Sequence, residues 1–428
     1  MKQKISLAVG LIVLAVVAFA LVRSTGKTVQ HPRIDGTDGV LAAAAPAVDL
    51  KKYSVDFYME NSASMDGYVN GRTEFKDVLG RMIVSAQNFC SRTSFSFIND
   101  KAYKTDGKAI DFIQNLTPER MKVGNTTATD INKIFGCILK NTKPSTISVL
   151  FSDCIYSVAN VTSEIDNAKN ATTAAFLQTI ASRPQFATVI MQFKSQFDGT
   201  YYDRNDTPLP CRSARPYYVV IMGDKAALKK LCAGMRADAL PGLANSFYLS
   251  TDSWTIDAAN ACTITSDYTN ARRIKRNRNS LDMEMMQPDR DAQTMRFAVG
   301  VDVAQLFTDE AYATDADNYE VEPADYKIVQ VVKASQLSMG DFAATPACPV
   351  AIQLQAPIDR RSARVTISLR NNIPAWVAKA NADDDAGTVP PPTKSFAIGK
   401  LVEGIYNAYD IAGKRIFKLD VNIKKYKR

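Results

Sequence analysis

The chain has 428 residues, 46% of them hydrophobic and 22% charged, with a formal net charge of +8. That composition is globular rather than disordered, and the length exceeds one ordinary core, so two domains are expected after any targeting segment. The single histidine, His31, excludes Ser-His-Asp and Cys-His catalysis, His-Glu-x-x-His zinc chemistry and two-histidine metal sites in one step.

At the N-terminus Met1-Lys2-Gln3-Lys4 precedes an uncharged run, residues 5–22, long enough for ~27 Å of helix at ~1.5 Å per residue. Residues 1–22 therefore read as a signal anchor or a signal peptide, and Ala18-Phe19-Ala20 keeps the cleaved form open. Export is expected either way. The soluble part would stand in the periplasm or cell envelope behind a single N-terminal span, or be secreted after cleavage. Lys2 and Lys4 face Arg23, Lys27 and Arg33 across the run, so charge sets no orientation. Residues 23–50, with Gly36, Gly39 and Pro46, read as a flexible linker that would hold the next domain ~30 Å away on average.

From residue 51 to 240 strand and helix patterns alternate, the signature of an α/β, doubly wound, mostly parallel sheet with both faces covered. Residues 55–59 are the first strand. Phe75, Val78, Leu79, Met82 and Ile83 then recur at helical spacing, one apolar stripe. Residues 94–98 predict a strand. Ile131, Ile134, Phe135, Ile138 and Leu139 give a second helical stripe, and residues 147–151 a buried strand. A helix around 174–181, strands at 187–193 and 217–222, and a helix over 225–235 complete the unit. In open sheets of this kind ligands bind beyond the carboxyl ends of strands where the strand order reverses. Glu60 and Asp153 each end a predicted strand.

Those two carboxylates do not stand alone. Glu60-Asn61-Ser62-Ala63-Ser64 follows the first strand, Thr129-Asp130 opens the helix at 131, and Ser152-Asp153 closes the buried strand. Carboxylates and hydroxyls converging from three strand-end loops form a hard-oxygen ligand set suited to Mg²⁺ or Mn²⁺. The order Glu60-x-Ser62-x-Ser64, Thr129, Asp153 resembles the metal-ion-dependent adhesion site of the von Willebrand factor A domain, Asp-x-Ser-x-Ser followed by a Thr and an Asp, across residues 50–240. The resemblance implies a Rossmann-like sheet holding one divalent ion whose open position is completed by a protein partner's carboxylate. Glu60 departs from the pattern: one extra methylene reaches further toward the ion and decides between direct and water-mediated ligation. Each residue also has an ordinary use. Thr129 would serve as N-cap of the helix, with Thr127 the substitute ligand; Ser62 and Ser64 would serve as turn residues; Asp153 would cap the following loop.

Residues 241–428 change character. Strand-like runs at 296–303 and 328–332 alternate with turn-rich acidic segments, and Phe417, Leu419, Val421 and Ile423 alternate with polar residues as a half-buried strand. Ile398, Leu401, Val402 and Ile405 mark one helix. The expectation is a β-rich domain, β-sandwich-like or α+β. Residues 381–393, with Asp383-Asp384-Asp385 and three prolines, read as a mobile, solvated loop, since the triplet lacks the spacing of a calcium loop. The basic runs at 272–278 and 424–428 read as solvated segments, because no aromatic interleaving marks a nucleic-acid surface. Seven cysteines show no Cys-x-x-Cys or zinc spacing. No Gly-x-x-x-x-Gly-Lys-Ser/Thr loop or Gly-x-Gly-x-x-Gly turn occurs, so no nucleotide is expected. The whole reads as a membrane-tethered envelope protein that binds a partner through its metal site, or as a metal-free envelope scaffold on a degenerate domain, and not as an enzyme.

Overall fold

The computed structural model describes residues 33–34, 48–105, 110, 113, 115–126, 130–155, 161–251, 254–255, 261–264, 271–277, 280–285, 294–301, 310–333, 336, 350–357, 362–387, 394–409 and 415–425. The expected anchor, residues 1–22, lies outside them. Among the described residues no helix is long and apolar enough to cross a membrane.

The first unit is α/β. Strands β1 (Ser54–Glu60), β2 (Arg92–Ile98), β3 (Ala102–Lys104), β4 (Thr146–Ser152), β5 (Phe186–Tyr202), β6 (Pro208–Asp224) and β7 (Leu243–Ser250) form one sheet in the order β3-β2-β1-β4-β6-β5-β7. Strands β2, β1 and β4 are mutually parallel, and β5 shares their direction because it is antiparallel to β6, which is antiparallel to β4. Strands β3, β6 and β7 run the other way. The chain steps from β1 to one side and then returns to place β4 on the other. The strand order therefore reverses between β1 and β4, where Glu60 and Asp153 emerge.

Period-two alternation gives the sheet two apolar faces, and each has its helices. Helices α1 (Asp66–Val69), α2 (Glu74–Phe89), α3 (Ile131–Asn141), α4 (Val161–Ser182) and α5 (Lys225–Met235) follow the strands. Phe75, Val78, Leu79, Met82 and Ile83 of α2, with Leu228 and Leu231 of α5, pack with Val55, Phe57 and Met59 of β1. On the opposite face the α3 stripe packs with Leu150, Val220 and Met222. Both stripes legible in the sequence are buried as expected. The hairpin is not as expected: β5 and β6 are each 17 residues long, where alternation alone marked only 187–193 and 217–222. Beyond those cores polar residues interrupt the apolar run, and cross-strand pairing carries the strands onward.

The second unit is a β-sandwich. One sheet holds β9 (Ala271–Asn277), β10 (Ser280–Met285), β16 (Arg415–Lys425), β15 (Ser362–Arg370) and β12 (Tyr319–Glu322); the other holds β8 (Ala261–Ile264), β11 (Thr294–Val301), β14 (Val350–Pro357) and β13 (Lys327–Lys333). Phe297, Val299, Ile352 and Leu354 from one sheet meet Val365, Ile367, Phe417, Leu419 and Val421 from the other. The basic run at 272–278, expected as a loop, is largely strand β9. Its register sets Arg273 opposite Glu284 and Lys275 opposite Asp282, a charge pattern that suits cross-strand pairing. Residues 33–34, expected as linker, pair in parallel with Arg273 and Ile274.

The boundary expected at residue 240 does not match the packing. Strand β7 belongs to the α/β sheet, and the chain returns from the sandwich at α6 (Ala375–Ala380) and α7 (Ile398–Tyr409) to finish the α/β layer before ending in β16. Leu401, Val402 and Ile405 of α7 pack in the same core as α3. Helix α7 lies so close to α4 that a Cβ on Gly404 would meet the Lys169 carbonyl oxygen at 2.8 Å. Thr173 donates to the Gly404 carbonyl at 2.9 Å, and Lys169 pairs with Glu403 at 3.1 Å.

The acidic triplet is also anchored rather than solvated. Asp385 is buried and accepts from the Tyr201 hydroxyl and from the Arg204 N–H at 3.0 Å; Asp384 pairs with Arg204 at 3.2 Å; and the Gly387 N–H donates to Asp203 at 2.8 Å. The triplet thus docks on the tip of the β5–β6 hairpin. Residues 388–393 of the same stretch lie outside the described residues. Cys90, Cys137, Cys154, Cys211 and Cys232 are free thiols.

Burying the α7 stripe contributes roughly 1.5–3 kcal/mol per large side chain, and three such residues rival the ~5–15 kcal/mol of a whole domain. A chain ending at residue 252 is therefore expected to melt broadly and non-cooperatively by circular dichroism, whereas residues 47–428 melt in a sharp transition. A sharp melt of the truncated chain would contradict the interwoven architecture.

Candidate metal centre

Four of the five expected ligands come together. Glu60 is the last residue of β1 and only 2% exposed; Asp153 follows β4 and is 3% exposed; Ser62 is buried and Ser64 half-buried. The Ser62 hydroxyl donates to Glu60 Oε1 at 2.7 Å and lies 2.9 Å from the Ser64 hydroxyl. The Ser64 hydroxyl favours the ionised form of the Asp153 carboxyl. Ser62 occupies the cap position of the short 3-10 helix Ala63–Met65 but makes no side-chain capping bond there. Its hydroxyl is spent on Glu60, which separates it from an ordinary turn serine. Asp153 does both jobs: its Oδ1 also accepts from the Ile155 N–H at 3.2 Å.

Thr129, the fifth, lies outside the described residues, as does Thr127. The ordinary use expected of Thr129 falls to its neighbour, since Asp130 caps α3 by accepting from the N–H groups of Asn132 and Lys133 at 3.0 and 3.4 Å. The chain on either side is near the cluster. The Ala63 N–H donates to the Thr126 carbonyl at 3.2 Å, and Asn61 donates to the carbonyls of Met121 and Val123 at 2.7 and 2.8 Å. A second asparagine, Asn99, bonds both Asn61 and the Val123 carbonyl, closing the latch.

Two participants escaped the sequence reading. Ser152 donates to Glu60 Oε2 and accepts from the Cys154 N–H at 2.8 Å, so both Glu60 oxygens receive hydroxyl protons. It was legible only as a polar residue ending an apolar strand. Arg215 is the other, 1% exposed, with its guanidinium 4.1 Å from the Tyr201 ring centroid and 5.8 Å from that of Phe197. Its Nη1 and Nη2 have no hydrogen-bond partner among the described residues. The signal was a cation one residue ahead of the apolar run Tyr217–Met222.

Register explains how Arg215 gets there. Strand β6 pairs with β4 as far as Ser152 opposite Tyr218, so the residues before Tyr218 run on past the end of β4 alongside Asp153 and Cys154. The overhanging hairpin walls the site. Helix α1 seals against it: Gly67 and Gly199 approach so closely that a Cβ on Gly199 would lie 2.7 Å from the Gly67 Cα, and Tyr68 packs edge-on to Phe197 at 4.9 Å.

Ser62 and Ser152 each give a hydroxyl proton to Glu60, and Ser62 is in contact with Ser64, so two buried carboxyls and three hydroxyls stand in one small polar cluster. Two ionised carboxylates so placed are a concentration of negative charge that a proton or a cation would offset. Burial holds the Asp153 carboxyl above its usual range, with the Ser64 hydrogen bond and the Arg215 charge opposing. Burial likewise pushes the Cys154 thiol up, which keeps it neutral and unsuited to nucleophilic work. Cys154 itself stands in left-handed backbone at φ 55°, a conformation that costs a β-carbon residue on the order of 1–2 kcal/mol. The donor set, all carboxylate and hydroxyl oxygen, fits a hard divalent cation in kind. Among the described residues no group of three or more His, Cys, Asp or Glu side chains is placed to hold a metal, so any such ion depends on the serines.

No protein-family model and no curated protein matches the chain. Among solved structures it is similar to an aerotolerance-related membrane protein from Bacteroides fragilis NCTC 9343 with multiple mutations to serines, at 12% identity and a TM-score of 0.22, over 43% of this chain and 88% of that one. A likeness of that size assigns neither family nor function.

Ser152→Ala would strip a donor from the buried Glu60 carboxylate, and an orphaned buried acceptor costs about 1–3 kcal/mol. Denaturant unfolding should show that loss, and a change below about 0.5 kcal/mol would mean that the Ser152–Glu60 bond contributes little. Two residues after Ser64, Asp66 is half-buried, and desolvation raises its carboxyl to about 6, against the Lys122 charge. The folded value lies above the unfolded 3.8, so the ionised group costs stability above pH ~6 and the cost is gone below pH ~4. Asp66→Asn is expected to raise the melting temperature at pH 7.5 and leave it unchanged at pH 3.5. An equal effect at both pH values would contradict that assignment.

Proposed function

We propose that the α/β domain is a von Willebrand A-like binding module that engages a protein partner through one divalent cation, Mg²⁺ or Mn²⁺, in a protein tethered at the cell envelope by its N-terminal run. The observation that carries this reading is the pair of buried carboxyls, Glu60 and Asp153, at the strand ends where the order reverses, with Ser62 bonded to Glu60 and in contact with Ser64. Ser62, Ser64 and Asp153 would hold the ion, with Glu60 acting directly or through water and Thr129 arriving from the segment after Thr126. Bound there, a divalent ion supplies a Lewis-acidic position for a carboxylate from the partner. The chain's own residues do the rest. The serines turn lone pairs inward by giving up their mutual hydrogen bond, the hairpin excludes water from the rear, and the Asn61–Asn99 latch fixes the loop that carries both serines. No reacting nucleophile is implied, and the role is binding rather than catalysis.

A specific observation favours a second reading. Both oxygens of Glu60 already accept hydroxyl protons, so the cluster can persist as a protonated, metal-free brace in an envelope scaffold. Calorimetry separates the two. Residues 47–428 are expected to take up one equivalent of Mn²⁺, and Ser62→Ala with Ser64→Ala to weaken that uptake at least tenfold while the far-ultraviolet circular dichroism spectrum stays unchanged. Chelation should release whatever partner co-purifies with the full chain. Equal Mn²⁺ affinity in wild type and the double variant would overturn the site.

A further inference from the structure

We propose that Arg215 is a built-in opposing charge for this site: a buried guanidinium beside Asp153 that lowers the affinity of the cluster for a divalent cation. The inference rests on the cation reading of Glu60, Ser62, Ser64 and Asp153, and it concerns what sets the strength of that site.

Three observations carry it. Arg215 is 1% exposed and lies on the part of β6 that runs past the end of β4, three residues beyond the Ser152–Tyr218 pair and so level with the chain just after Asp153. A guanidinium does not lose its proton at any working pH, so the charge is permanent. Its Nη1 and Nη2 make no hydrogen bond among the described residues, so no carboxylate is paired to it in the forked geometry that would cancel its field locally. Around it stand Tyr68, the ring faces of Tyr201 and Phe197, and the charge of Asp153 at a distance. Aromatic faces stabilise a cation without neutralising it.

The charges then sum simply. Ionised, as cation ligation requires, Glu60 and Asp153 contribute two negative charges and Arg215 one positive, leaving the cluster at net −1. A cation entering the cluster gains attraction from two carboxylates but meets a third charge of its own sign inside low-dielectric protein, where screening by salt does not reach. Repulsion scales with the ion's charge, so a divalent ion feels it twice as strongly as a proton. With the ion bound the cluster stands at +1, which one carboxylate neutralises. The guanidinium therefore weakens the bare ion and favours the ion together with an anionic ligand.

The test is Mn²⁺ binding by calorimetry and by the Mn²⁺-induced shift in melting temperature on the full chain, comparing wild type with Arg215→Met, Arg215→Gln and Arg215→Lys. Removing the charge is expected to tighten Mn²⁺ binding at least tenfold in Arg215→Met and to enlarge the thermal shift, while Arg215→Lys, which keeps the charge, stays within about threefold of wild type. A purely structural Arg215 predicts no gain in affinity. If Arg215→Met is unfolded by circular dichroism, the same titration on Arg215→Gln decides. Wild-type binding with an unchanged or weaker neutral variant overturns the proposal and leaves the cation site standing. Binding by the neutral variant alone, abolished again by adding Asp153→Asn, supports the proposal and overturns the native protein as a metal carrier. Binding by neither overturns both.

Discussion

Two carboxylates taken out of water at the same point of a sheet must be compensated, and much of the first domain is arranged around that requirement. Glu60 and Asp153 are delivered together because the strand order reverses between β1 and β4. Neither residue has an acidic side chain's usual recourse to solvent. Ser62, Ser64 and Ser152 supply hydroxyls from the same strand ends, and the bridging contacts they make fix the loop after β1 in a single arrangement. The energetic logic follows from burial: an unpaired ionised carboxylate in the interior is far more costly than any hydrogen bond is favourable.

The long hairpin overhangs the rim of the sheet. In a simple doubly wound sheet the carboxyl ends of the strands face solvent; here β6 continues past the end of β4, and Arg215, Tyr201 and Phe197 of the hairpin pack together. The segment between α6 and α7 fastens that hairpin through Asp385 and Asp384, and α7 completes the helical layer on the far face. The chain thus passes through the sandwich and returns to complete the α/β unit.

Much of this was legible in the residues. The stripes Phe75 to Ile83 and Ile131 to Leu139 report their own burial because helical periodicity is a local property, and the alternation Phe417 to Ile423 reports a half-buried strand for the same reason. The convergence of Glu60, Ser62, Ser64 and Asp153 was legible because strand-end chemistry follows from topology. What could not be read was non-local. Nothing near Leu401 says that its helix covers a sheet begun more than 300 positions earlier, and Asp383-Asp384-Asp385 has the composition of a solvated loop until Tyr201 and Arg204 are brought beside it. Arg215 was hidden by its strand: the cross-strand ladder with β5 carries it into the interior, and no local pattern announces that.

The most direct test of the account is a crystal structure of residues 47–428 grown with Mn²⁺, read by its anomalous signal. The account predicts one peak bounded by Ser62, Ser64 and Asp153, with oxygen distances of about 2.0–2.2 Å and Glu60 reaching it directly or across one water. Strong density elsewhere, with the Glu60–Ser62–Ser64 contacts intact and the cluster metal-free at saturating Mn²⁺, would contradict it.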